Sequence, residues 1–247
     1  MRATDLITGV KVAGQRAASF LRPPRDQALT LDLLMRDSRS LDVVQQFHKL
    51  WYASEATASV RWLGQPVLKN PFDLWTYQQI LVDQQPNLLI ETGTHVGGSA
   101  LFFASIGRAA ALDLEVVTVD FNPKLAYDPA QHRIHSIRGI STASQTVAQV
   151  HELIGRRASE GDIRVMVVLD SDHSMENVAT ELELYAEFVT PGQYLVVEDT
   201  NVNGHPVFPD HGPGPYEAVE AFLARHREFH RDSTRERLLL HRTQAAG

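Results

Sequence analysis

The chain has 247 residues, 43% of them hydrophobic and 21% charged, which is enough apolar surface for one catalytic domain with a full core. Its net charge of -7 excludes a phosphate-backbone partner, because nucleic-acid binding relies on a positive face that releases counterions. With no cysteine there is no disulfide, thiolate metal site or cysteine nucleophile, so any metal must be held by carboxylates or histidines.

No segment approaches the roughly 20 apolar residues of a membrane helix. Met1 to Arg25 lacks the apolar stretch and cleavage site of a secretory signal. The expectation is a cytoplasmic homo-oligomer acting on a small molecule, without nucleic-acid or membrane partners.

In chain order, Leu31, Leu33, Leu34, Leu41, Val43, Val44 and Phe47 recur at mixed helical spacing, and Pro23-Pro24 interrupts the pattern. Residues 1–60 are read as a helical arm and 61–247 as the main domain. Trp62 to Lys69 reads as a short extended piece, Asn70-Pro71 as a turn, and Asp73 to Gln84 as a helix, with Pro71 where a missing N–H costs nothing.

Short apolar runs then alternate with amphipathic segments. Strands are predicted at Asn87–Glu91, Leu114–Asp120, Val165–Asp170 and Gln193–Glu198, and helices at Ser99–Ala111, Ser141–Ile154 and Met175–Phe188. Apolar strands between helices predict a parallel sheet covered on both faces, an α/β, doubly wound, Rossmann-like fold. After Gly212-Pro-Gly-Pro215 come a helix from Tyr216 to Arg227 and a last strand, Arg237 to His241. The polar stretch Asn201 to Pro215 is read as a disordered connection or a lid, and its place after a carboxylate-bearing strand favours the lid.

Ligands of such sheets bind at the carboxyl ends of the strands, and each of the four strands between Asn87 and Glu198 ends in an acid. The first gives Glu91-Thr-Gly-Thr-His-Val-Gly-Gly-Ser99, where Gly93, Gly97 and Gly98 allow close approach of a ligand to the backbone. Such a turn also serves merely to pack a helix on a strand. It is neither G-x-G-x-x-G nor a P-loop. Asp120, 29 residues after Glu91, is placed to accept both hydroxyls of a ribose. Acids without a phosphate cradle suit a cofactor with a ribose and a positive charge, which is the shape of S-adenosylmethionine (SAM). The cofactor set is Glu91, Gly93, Thr94, Gly97, Ser99, Asp120 and Asp170.

Val168-Leu-Asp170-Ser-Asp-His173 and Val196-Val-Glu198-Asp199-Thr200 close two strands that can lie about 4.8 Å apart. Asp170, Glu198 and Asp199 then form an oxygen-rich site of the kind Mg²⁺, Mn²⁺ or Ca²⁺ takes, with positions open for substrate oxygens. The alternative is that Asp170 caps a helix while the other two face water. His173, beside these acids, can take a proton from a substrate hydroxyl near neutral pH, or simply cap the helix it precedes.

The ordered series Asn70-Pro-Phe-Asp73, Glu91-Thr-Gly…Gly97-Gly-Ser99, Asp170-Ser-Asp-His173, Glu181-Leu-Glu-Leu-Tyr185, Pro191-Gly-Gln-Tyr194 and Glu198-Asp-Thr200 resembles the cephalosporin hydroxylase and rhamnosyl O-methyltransferase family, over about Tyr52 to His241. The resemblance implies SAM on a Rossmann core with Mg²⁺ (or Mn²⁺) beside it, Asp170, Glu198 and Asp199 as metal ligands, and His173 as general base. It implies O-methylation of a hydroxyl on a sugar or other small natural product. The competing readings are an oxidoreductase that tailors natural products with a partner, and a non-catalytic scaffold. The first lacks a clean pyrophosphate turn at 93–98. The second leaves the retained acids, His173 and glycine turn unexplained.

Overall fold

The computed structural model describes residues 38–54, 56–232 and 235. The chain divides into Met1–Asp42, of which only residues 38–42 are described, and Val43–Gly247. Most of the helical arm and the strand expected at Arg237–His241 lie outside the described residues.

In order the elements are α1 (Ser38–Ala53), α2 (Ala56–Ser59), β1 (Arg61–Trp62), β2 (Gln65–Pro66), α3 (Pro71–Gln84), β3 (Leu88–Thr92), α4 (Gly98–Ala109), β4 (Glu115–Asp120), β5 (Ile134–Arg138), α5 (Ser144–Ser159), β6 (Val165–Leu169), α6 (Met175–Tyr185), β7 (Leu195–Val197) and α7 (Pro215–Arg225). Short 3₁₀ turns at Pro129–His132 and Ala186–Phe188 precede β5 and follow α6.

Strands β3 to β7 form one parallel sheet in the order β5-β4-β3-β6-β7. The chain steps outward from β3 through β4 to β5, then crosses back to place β6 on the other side of β3. The order thus reverses between β3 and β6, where an open α/β sheet forms its ligand crevice. β1 and β2 form a separate antiparallel hairpin.

Side chains alternate across the sheet. Leu88, Ile90, Val117, Val119, Val167 and Val197 pack beneath α5, α6 and α7. Leu89, Val116, Met166, Val168 and Val196 face Tyr77 and Leu81 of α3 and Phe102 and Phe103 of α4. Burial on both faces accounts for the near-continuous apolar strands, each large side chain contributing about 1.5–3 kcal/mol.

Capping chemistry sets the helix that opens the domain. Asn70 accepts a hydrogen bond from Phe72 N at 3.0 Å, Pro71 begins α3, and Gln85 ends it in the left-handed region with its N–H on Leu81 O. α6 starts after Ser174, so His173 stands just outside the helix. β5 carries only Ile134 and Ile137 as buried side chains, and the sequence pattern does not reveal it as a strand.

Candidate functional site

The ends of β3 and β6 meet with no space between them. Gly93 donates its N–H to Val119 O at 2.8 Å, and Asp170 donates its N–H to Thr92 O at 3.1 Å. Gly93 has φ +88°, and a Cβ there would lie 1.7 Å from the carbonyl oxygen of Asp170. A Cβ on Gly97 would lie 2.2 Å from Leu125 Cδ2. These two glycines are therefore demanded first by protein packing.

Above this junction a cavity of about 750 Å³ opens at the carboxyl ends of the strands. Of the residues expected to hold a cofactor, Gly93, Thr94, Ser99, Asp120 and Asp170 line it, whereas Glu91 and Gly97 do not. Asp120 accepts backbone N–H bonds from His95 and Asn122, each at 2.7 Å, which fix its carboxylate at the rim. Each oxygen retains a second lone pair for a ligand hydroxyl. Phe121 and Ile140, both exposed, line the same cavity and offer apolar faces beside Asp120.

Glu91 is fully buried behind this wall. Its Oε2 accepts from Thr118 Oγ1 at 2.7 Å, and its Oε1 has no hydrogen-bond partner. Burial pushes its pKa up to about 7, against the opposing pull of Lys69 and of the Ser99 and Thr118 hydroxyls.

The carboxylates of β6 and β7 converge as the strand register requires, with Leu169 opposite Val197 and Glu198 N donating to Leu169 O at 2.9 Å. Asp170, His173 and Asp199 each offer one ligand atom within 4.8 Å of the others, and all three line the cavity. His173 Nε2 stands 3.3 Å from Asp199 Oδ2. Two carboxylates and an imidazole are a donor set that suits a divalent cation.

Glu198 is placed differently. It is buried, does not line the cavity, and its Oε1 accepts from Lys69 Nζ at 2.8 Å and from the Tyr77 hydroxyl. Lys69 also reaches Asp170 Oδ2 at 2.7 Å. Burial by itself would push Lys69 down, but the charges of Asp170, Glu198 and Glu91 outweigh it and hold the ammonium well above its usual range. Asp170 is driven the other way: burial raises its pKa, with Glu198 and Asp199 adding to the rise and Lys69 opposing it.

Sequence reasoning missed Lys69, Tyr77 and Tyr52. Tyr52 on α1 points its hydroxyl to Asp199 Oδ1 at 3.5 Å and stacks on His48, which meets Asn201 Nδ2 at 2.8 Å. The stretch expected to form a lid is held by these contacts, by Val207 N on Asn201 O at 3.0 Å, and by Asn203 Nδ2 on Glu217 at 2.8 Å. Val202 and Val207 are buried, and no residue of 201–215 lines the cavity.

A doubly wound sheet with a glycine turn after β3, an acid closing β4 and carboxylates closing β6 and β7 defines a Rossmann-like methyltransferase. The chain belongs to the Rhamnosyl O-methyltransferase/CmcI family, whose model matches residues 54–247. A rhamnosyl O-methyltransferase of Mycobacterium bovis is 42% identical over 180 residues, covering 73% of this chain and 73% of that protein. Another, from Mycobacterium leprae, is 41% identical over 189 residues, covering 76% and 79%. The Mg–SAM form of CmcI shares the fold, with a TM-score of 0.50 and 19% identity over 67% of this chain. The match spans 66% of that chain, just under two thirds of its length. Family membership favours the O-methyltransferase reading over the oxidoreductase one. Among the described residues no helix is long and apolar enough to cross a membrane.

Proposed function

We propose that this protein transfers the methyl group of SAM to a hydroxyl of a sugar, with one divalent cation, Mg²⁺ or Mn²⁺, at the ends of β6 and β7. The observation that carries the reading is the convergence of Asp170, Asp199 and His173 on one cavity that also holds the glycine turn and Asp120. The mycobacterial relatives are named for a rhamnosyl acceptor, which makes a deoxysugar glycoside the first substrate class to test.

In this reading Asp120 accepts the ribose hydroxyls, and Phe121 and Ile140 flank the base. The 93–99 turn faces the amino-acid end, with Glu91 buried behind it. Asp170 and Asp199 would hold the cation, with Glu198 as the third carboxylate of the set. A bound divalent cation supplies charge compensation and Lewis acidity to the acceptor oxygens. His173, paired with Asp199, would accept the proton of the acceptor hydroxyl, and SAM would supply the methyl group as its sulfur–methyl bond breaks. Assembly as a homo-oligomer in the cytoplasm belongs to the same proposal, and light scattering on the eluted protein tests the assembly.

The deciding experiment measures transfer of labelled methyl from SAM to a panel of rhamnosides, before and after chelation and with Mg²⁺ restored. Transfer that requires the cation is the expected result. An unaltered rate after exhaustive chelation rejects the metal role.

A further inference from the structure

Lys69 has none of the roles assigned above, yet it is the most deeply committed charge at the site. It follows β2 and precedes the cap of α3, and its side chain is 4% exposed. Its ammonium bridges Asp170 Oδ2 at 2.7 Å and Glu198 Oε1 at 2.8 Å, and it lies 5.9 Å from the centre of the Tyr77 ring. Tyr77 donates to the same Glu198 oxygen. Lys69 lines the same cavity as Asp170, Asp199 and His173 and ties Asp170 to Glu198, which lies behind the cavity wall.

A buried ion pair is a poor device for stability alone, because desolvation offsets most of the attraction and an apolar residue of similar size packs as well. Charge balance supplies a reason to keep it. At the ends of β6 and β7, Asp170, Glu198 and Asp199, when ionised, leave two negative charges against the one ammonium, which one divalent cation neutralises. We propose that Lys69 is a built-in counter-cation of the metal centre, holding Asp170 and Glu198 in place before the metal arrives and setting the residual charge for a single divalent ion. This rests on the metal reading above.

The proposal predicts a specific linkage between Lys69 and metal. In Lys69→Met the adjacent buried acids are uncompensated until a cation binds. In chelator, this variant should melt roughly 10 °C below wild type, the range expected when one partner of a buried ion pair is removed from a chain of this size. Saturating Mg²⁺ should restore most of that loss, giving a larger metal-induced rise than in wild type. Lys69→Arg should behave as wild type, and Lys69→Met with Glu198→Gln should recover stability in chelator.

The proposal is overturned if Lys69→Met melts like wild type in chelator, or if Mg²⁺ raises both proteins equally. Should Lys69→Met fail to fold, recovery in the double variant supports the counter-cation role, and failure of both variants assigns the lysine to packing and overturns it. Mn²⁺ binding to wild type, followed by electron paramagnetic resonance, separates the two claims. Wild type that neither binds Mn²⁺ nor gains stability from Mg²⁺ removes the metal reading itself, whereas normal binding with unchanged Lys69→Met behaviour removes only the role of Lys69.

Discussion

Gly93 and Asp170 are joined so closely that the alpha carbon of one leaves no room for a side chain against the carbonyl of the other. This contact fuses the cofactor turn after β3 to the first carboxylate after β6, so the two halves of the site share one backbone junction. Gly93→Ala must both adopt φ near +88° and displace the Asp170 carbonyl. A loss of about 2–4 kcal/mol is expected from strain and overpacking, read as a lower urea midpoint. A midpoint equal to wild type would show that the junction yields freely.

Asp120→Ala should weaken SAM binding by at least about tenfold, or roughly 1.4 kcal/mol, in calorimetry. The same change removes the acceptor for His95 N and Asn122 N, so the rim loops lose their anchor together with the ribose contact. Adenosine binding should fall in parallel with SAM binding, because the ribose is common to both. A dissociation constant that does not move removes Asp120 from the cofactor site.

Much of this arrangement was legible because strand patterning and strand-end acids are local signals. β3, β4, β6 and β7 are apolar runs, and the parallel sheet follows from their alternation with helices. β5 escaped because an edge strand with two buried isoleucines among His135, Ser136 and Arg138 carries no such pattern. Lys69 escaped for a different reason. A lysine after Val67 and Leu68 looks like the solvated end of an extended piece, and only its distant partners Asp170, Glu198 and Tyr77 show it to be buried at the site. Glu198 was expected to face the ligand, and the pull of Lys69 and Tyr77 on its carboxylate depends on contacts 129 and 121 residues distant in the chain.

Stability should depend on pH through Glu91, whose pKa rises from 4.5 to about 7 on folding. Between those values the folded chain binds more protons than the unfolded one, so the contribution is favourable at low pH. It is lost as pH rises through about 7, by an amount of order 3 kcal/mol. Glu91→Gln should flatten this part of the profile, measured in chelator by urea unfolding from pH 5 to 8. A difference between wild type and variant that stays constant across that range contradicts the burial argument.

His173 and Asp199 are within 3.3 Å of each other, and the histidine can serve either as proton acceptor or as a third ligand to the cation. The two roles leave different traces. As general base, His173→Ala slows methyl transfer by about 10²–10⁴-fold and leaves Mn²⁺ affinity close to wild type. As a ligand, the same change weakens Mn²⁺ binding at least as strongly as it slows turnover. The geometry favours the base. Asp170 and Asp199 follow adjacent strands of the sheet, whereas His173 sits on the loop before α6, one-third exposed, with its imidazole paired to Asp199 at the cavity. Asp199→Ala should accordingly abolish metal binding and turnover together, while His173→Ala should separate them. A variant of His173 that loses the cation first would reverse the assignment.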